Sequence, residues 1–107
     1  MEIKLTFEEQ GFKGHVIIDT VSTSKRFRVM KEFGLTPKNI SEDVFSDFGV
    51  IADLIDKSKE YYKKVDLKKG NKSYKSFDDL DDDPACGMII QDCAIKALMG
   101  LGDDEKK

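Results

Sequence analysis

Between Pro84 and Leu101 the sequence places apolar residues on two faces of a single helix. Cys86, Ile90, Cys93 and Ala97 share one face, Met88, Ile95 and Met99 share another, and Gln91, Asp92 and Lys96 are the polar interruptions. One apolar face is enough to close the core of a small domain, so the second has to be covered by more of this chain or by another one. At 107 residues the chain supports one domain with few elements to surround such a helix. Burial all round and an interface with a partner are therefore both open. The two methionines on the second face suit adaptable packing against a partner. The polar interruptions argue against a membrane span, because charge near the centre of a bilayer is costly.

Upstream, Ile3, Leu5 and Phe7 alternate with polar residues, which predicts a strand, and a secretory leader with its continuous apolar run is not expected. Gly11 and Gly14 punctuate, and the β-branched run His15-Val16-Ile17-Ile18 completes an N-terminal hairpin. Ser22, Thr23 and Ser24 are N-cap candidates for a short helix carrying Phe27, Met30 and Phe33, ended by Gly34 and followed by Pro37. Ser41 with Glu42 and Asp43 predicts the start of a long second helix. Its expected buried stripe is Val44, Phe48, Ile51, Ile55, Ser58 and Tyr62, widened by Phe45 and Ala52. Gly49 lies inside it, which suggests that something packs closely there.

Val65-Asp66-Leu67 and Lys72-Ser73-Tyr74-Lys75 flank Lys68-Lys69-Gly70-Asn71, a turn sequence that predicts a small, peripheral second hairpin. Ser76 caps a single turn, Phe77 to Leu80, with Asp79 at the capping-box position. Asp83-Pro84 then opens the third helix, which ends near Gly100 or Gly102, and residues 103–107 form a charged tail. The expected fold is α+β: an N-terminal β-hairpin, three main helices, and a small β-hairpin between the last two, all in one domain over residues 1–102.

Chemistry-bearing groups are sparse. The acidic run from Asp78 to Asp83 fails the register of a calcium loop, with Pro84 where a turn Gly belongs and Ile90 where a bidentate Glu belongs. Its preferred reading is helix-terminal charge. His15, the single histidine, has no evident orienting partner, and with Cys86 and Cys93 it is one ligand short of a zinc site. The two cysteines lie seven residues apart, roughly 10 Å along a helix, which is too far for a disulfide. They are expected to be free buried thiols in a reducing compartment. No phosphate-binding glycine loop is present, so neither a catalytic site, a metal nor a cofactor is expected.

Eight lysines between Lys57 and Lys75 face only Glu60 and Asp66, although the whole chain carries a net charge of −3. Interleaved with Tyr61, Tyr62 and Tyr74, the strip has the outline of a nucleic-acid footprint. It lacks arginine for bidentate contacts and is followed at once by the aspartates. A solvated face or a charge-complementary protein contact is the preferred reading, with nucleic acid the alternative.

The order of these features resembles a known family. A hairpin leads into Arg26-Phe27-Arg28-Val29-Met30-Lys31-Glu32-Phe33-Gly34-Leu35. A long helix then runs into Tyr62-Lys63-Lys64-Val65-Asp66-Leu67, a glycine turn and Ser76-Phe77-Asp78-Asp79-Leu80, and the last helix closes with Ala97-Leu98-Met99-Gly100-Leu101-Gly102. Over residues 14–102 this pattern resembles the tail assembly chaperones of long-tailed bacteriophages. The resemblance implies a non-enzymatic protein that binds the tape-measure protein, self-associates, and recruits tail-tube subunits in the host cytoplasm before leaving the finished virion. It also implies a longer form made by frameshifting near the C-terminus. The N-terminal strand has no counterpart in the family pattern. A small structural subunit of the virion is a further alternative. The residues expected to meet a partner are Met88, Ile95, Met99, Phe45, Phe48, Lys63, Lys64, Lys68 and Lys69.

Overall fold

In the computed structural model, which describes residues 1–34 and 47–99, the predicted alternation at the N-terminus forms β1 (Glu2–Phe7). It pairs antiparallel with β2 (Phe12–Asp19), from Glu2 opposite Asp19 to Phe7 opposite Gly14. Gln10 and Gly11 turn the hairpin, both with positive φ (56° and 88°), and the Phe12 N–H closes it on the Glu9 carbonyl at 3.0 Å. Positive φ at both central positions gives the turn a twist that matches the strands it joins.

The second hairpin is neither separate nor peripheral. Its first strand, β3 (Tyr62–Lys69), pairs along β2, and β4 (Lys72–Tyr74) adds beyond it, giving one antiparallel sheet in the order β1-β2-β3-β4. Val16, Ile18, Val65, Leu67 and Tyr74 supply a continuous buried face, which is why β3 belongs inside the sheet. Between Ile17 and Ile18 the register slips: Ile17 faces Lys64 but Ile18 faces Tyr62, leaving Lys63 as the extra residue of a bulge. Without the bulge Tyr62 would share the outward parity of Lys64 and Asp66. With it, Tyr62 turns inward and meets Phe77 edge-on, ring centroids 5.0 Å apart.

Helices cover that face. α1 (Thr23–Glu32) starts at Ser22, whose hydroxyl accepts from the Lys25 N–H at 3.2 Å, and turns out at Gly34, φ 72°. Its core residue is Val29, with Met30 and Phe33 half-buried, whereas Phe27 is 60% exposed and lies off the expected face. α2 (Phe48–Ser58) is capped by Asp47, which accepts from the N–H groups of Gly49 and Val50. The expected start at Ser41, with Glu42, Asp43, Val44 and Phe45, lies outside the described residues.

The expected stripe of α2 was rotated relative to the observed one. Phe48, in the first turn, is 84% exposed, and the core contact is Leu54, with Val50, Ile55 and Ser58 beside it. The helix also ends earlier than predicted: Lys59–Tyr61 is a 3-10 turn, and Tyr62 already belongs to the sheet. At Gly49 the nearest described group to an added Cβ is the Asp47 carboxylate at 3.3 Å, and among the described residues no other element packs closely on it.

α3 (Phe77–Asp81) starts at Ser76 as predicted, its hydroxyl accepting from the Asp79 N–H at 3.3 Å. Asp79 reaches back one residue further than a capping box would, to the Lys75 N–H at 2.9 Å. A 3-10 turn at Pro84–Cys86 precedes α4 (Gly87–Leu98), so Asp83-Pro84 opens the turn and the α-helix follows it. α4 packs against α2, α3 and the sheet. Its two-sided apolarity is met mainly from within the chain: Ile89, Ile90, Cys93, Ala94, Ala97 and Leu98 are buried, and so is Met99 just past its end. The predicted helix end at Gly100 or Gly102 and the tail 103–107 lie outside the described residues. The fold is α+β, a four-stranded antiparallel sheet with its helices on one face.

Candidate functional site

With helices on one face, the other face of the sheet is left open by the described residues. Alternation and register fix what it carries: Glu2, Lys4 and Thr6 on β1, Lys13, His15, Ile17 and Asp19 on β2, Lys64, Asp66 and Lys68 on β3, and Ser73 on β4, with Glu2 and Asp19 together at one end. The lysines are exposed, with His15, Ile17 and Asp66 half-buried between them. The face is polar, positive and centred on one aliphatic side chain. It bears no Phe, Tyr or Trp, since Phe12, Tyr62 and Tyr74 all point into the helix side.

Sheet formation splits the lysine strip that looks continuous in sequence. Lys57 pairs with Glu32 at 3.2 Å, Lys59 with Asp78 at 3.8 Å, Lys63 with Asp19 at 3.3 Å, Lys72 with Asp83 at 2.7 Å, and Lys75 with Asp66 at 3.0 Å. Lys69 lies over the Phe12 ring, 4.9 Å from its centroid. Among the described residues Lys64 and Lys68 remain without a carboxylate partner, and the sheet sets Lys4 and Lys13 beside them. Lys75 holds Asp66 below the usual carboxylate range. Asp66 therefore stays ionised, a negative charge set among the lysines of this face. Lys4, Lys13, His15 and Ile17 were missed as site residues because they are remote in sequence from Lys64 and Lys68. The alternation of β2 was the signal that could have found three of them.

The acidic run is also consumed locally. Asp83 Oδ2 accepts from Lys72 Nζ at 2.7 Å and from the Tyr74 hydroxyl at 2.6 Å, while Oδ1 accepts from the Ala85 N–H at 3.0 Å. These bonds hold the Asp83 carboxyl well below its ordinary range and push the Tyr74 hydroxyl and the Lys72 ammonium up. The cluster ties β4 to the start of α4 and is structural. Because Asp83 titrates lower in the folded chain, its stabilisation is complete above the ordinary Asp pKa of about 3.9 and fades as pH falls through the folded value. Asp83→Asn is therefore expected to lower stability at neutral pH, with the gap from the parent chain narrowing below about pH 4. Urea unfolding at pH 7, 4 and 2.5 measures this, and a constant gap would exclude the linkage.

Cys86 and Cys93 are free and buried, as their spacing predicted. Burial raises the Cys86 thiol and pushes the Cys93 thiol up to about 12, so neither is a thiolate at neutral pH. The Tyr62 hydroxyl, buried beside Cys93, is raised by the same desolvation. Among the described residues no three His, Cys, Asp or Glu side chains converge as a metal site, and no helix is long and apolar enough to cross a membrane.

The remaining residues expected to meet a partner separate. Met99, 2% exposed, is core and is withdrawn from the surface because α4 ends with its side chain turned inward. Ile95 is half-buried against the core, while Met88 is 71% exposed and Phe48 stands free at the start of α2. Phe45 lies outside the described residues. Lys63 and Lys69 have internal partners, and Lys64 and Lys68 stand on the open face. A cavity of about 230 Å³ lies between the first hairpin and α4, lined by Phe7, Phe12, Met88 and Ile89 and edged by Glu9 and Asp92. No protein-family model, curated protein or solved structure matches the chain.

Proposed function

We propose that this chain is a non-catalytic binding protein, an assembly chaperone for the tails of long-tailed phages that engages an elongated protein partner and its own copies. The observation that carries the reading is the open sheet face, where Lys4, Lys13, Lys64 and Lys68 present positive charge around Ile17 on a rigid antiparallel scaffold. Such a face suits a long acidic protein surface, because complementary charge steers association and one aliphatic contact gives it a desolvated centre. The specific client, the tape-measure protein, and recruitment of tail-tube subunits in the host cytoplasm come from the family resemblance.

Nucleic acid is disfavoured as the partner by the same geometry. Tyr62 and Tyr74 of the basic strip point into the helix side and Tyr61 packs against the core from the turn before β3, so no stacking platform accompanies the lysines of the open face. Reversing Lys13, Lys64 and Lys68 to Glu is expected to weaken client binding roughly tenfold or more, from the lost attraction of three exposed charges and the added repulsion. Isothermal titration of the client at two salt concentrations reads this. Tight, steeply salt-dependent binding of DNA or RNA by the parent chain would instead support a nucleic-acid protein.

A further inference from the structure

β1 is an outer strand of the sheet, and its free edge can be read residue by residue. The Thr20 N–H bonds the Met1 carbonyl at 2.7 Å, and the β1 and β2 register continues from that pair. In an antiparallel ladder hydrogen-bonded and non-bonded pairs alternate. Ile3, Leu5 and Phe7 therefore spend their backbone groups on β2, while Glu2, Lys4 and Thr6 direct their N–H and C=O groups out of the sheet. The strand lacks a proline, a bulge and an inward-pointing charge, and its only edge protection is the outward pair Glu2 and Lys4, which carry opposite charges. On its inner face Ile3, Leu5 and Phe7 are only half-buried, and Met1 is exposed. Among the described residues no helix packs substantially on β1, whose main neighbour is β2.

From this edge we infer that β1 pairs antiparallel with β1 of a second copy, about a two-fold axis at Ile3, to give a continuous eight-stranded sheet. Charge selects the register. With Ile3 opposite Ile3 of the other copy, Glu2 faces Lys4 twice, and both are residues with outward hydrogen-bonding groups. Met1 then lies across from Leu5, extending the apolar inner face over the seam. Sliding by one step of the same parity sets Lys4 against Lys4, and by two steps leaves Lys4 against Thr6, with no opposite charge in either case; a third step sets Lys4 against Glu8, but only by running past the end of β1 at Phe7. Five residues per strand bury less than a standard interface, so the dimer is expected to be weak and concentration-dependent. This deepens the self-association in the function proposed above and rests on that reading. Its test uses this chain alone, so failure of client binding and failure of the dimer are read separately.

Light scattering on the parent chain should show a monomer–dimer equilibrium with dimer dominant at millimolar concentration. Lys4→Glu is expected to weaken dimerisation roughly tenfold, since both cross-strand pairs become repulsive. Adding Glu2→Lys to it should restore the dimer, because the pairs reform with reversed sign. Lys4→Pro deletes an N–H that points away from β2 and should give a monomer with an unchanged far-ultraviolet spectrum. Independently of these variants, Ile3→Cys should oxidise to a disulfide-linked dimer, because non-bonded pairs across an antiparallel ladder lie within disulfide reach, whereas Leu5→Cys should not. A parent chain that stays monomeric at millimolar concentration, a double swap that fails to restore the dimer, or cross-linking through Leu5→Cys in place of Ile3→Cys would each overturn the proposal.

Discussion

Gly14→Ala is expected to cost about 3 kcal/mol or more and to leave a chain that folds poorly or not at all. Gly14 sits inside β2, between Phe7 of β1 and Leu67 of β3, with φ at 135°. A Cβ there would overlap the Asp66 carbonyl oxygen and press on the Leu67 Cα at 3.0 Å. Both obstacles are backbone, and β2 is held by ladders on its two sides, so the clash has no flexible side chain to absorb it. Gly70 is the control: its φ is 61°, nothing lies within 4 Å of an added Cβ, and Gly70→Ala should cost only about 1 kcal/mol. Urea midpoints of the two variants measure the contrast. Equal losses would mean that close approach at Gly14 is not what fixes the pairing of β2 with β3.

Leu54→Ala should destabilise by about 3 kcal/mol, while Phe48→Ala should change stability by less than about 0.5 kcal/mol. The larger side chain is the dispensable one. Leu54 is 1% exposed where α2 meets α4, so its loss removes transfer free energy and leaves a cavity between two packed helices. Phe48 lies in the first turn, beyond the edge of that contact.

These two residues also show what the sequence could and could not disclose. Helical spacing located α2, because Ile55 and Ser58 do share its inner side, but periodicity alone leaves the phase of a stripe uncertain by one position. The phase is set by where the chain enters the helix, at Asp47, and by the demand that Tyr62 join the sheet. Caps were readable because they are local: Ser22, Ser76 and Asp83 bond to backbone groups two or three residues away. Strand pairing is not local. Nothing near Val65 reveals that it faces Val16, or that a bulge at Lys63 turns Tyr62 inward. The site was obscured for the same reason. A run of eight lysines reads as one strip until the fold pairs most of them with distant carboxylates and brings Lys4 and Lys13 beside Lys64 and Lys68.

The last helix drew the most from its context. Its two apolar faces left an outside partner and internal burial open, and α2, α3 and the sheet cover most of it. The surface proposed for partner binding is consequently the open face of the sheet and not the second face of α4, with Met88 and Phe48 as exposed apolar outliers. The charge segregation seen in the sequence survives in a different form, as one positive sheet face on a chain with a net negative charge.

The central claim is a charge-steered protein contact made by that face with an elongated client. It is tested most directly by co-expressing the chain with a phage tape-measure protein, the client proposed above, and determining the mass of what co-purifies. The account predicts a soluble complex with several copies of this chain per client, lost in the Lys13→Glu, Lys64→Glu, Lys68→Glu triple variant while that variant stays folded. A client that purifies without this chain, or a complex indifferent to the three reversals, would contradict it.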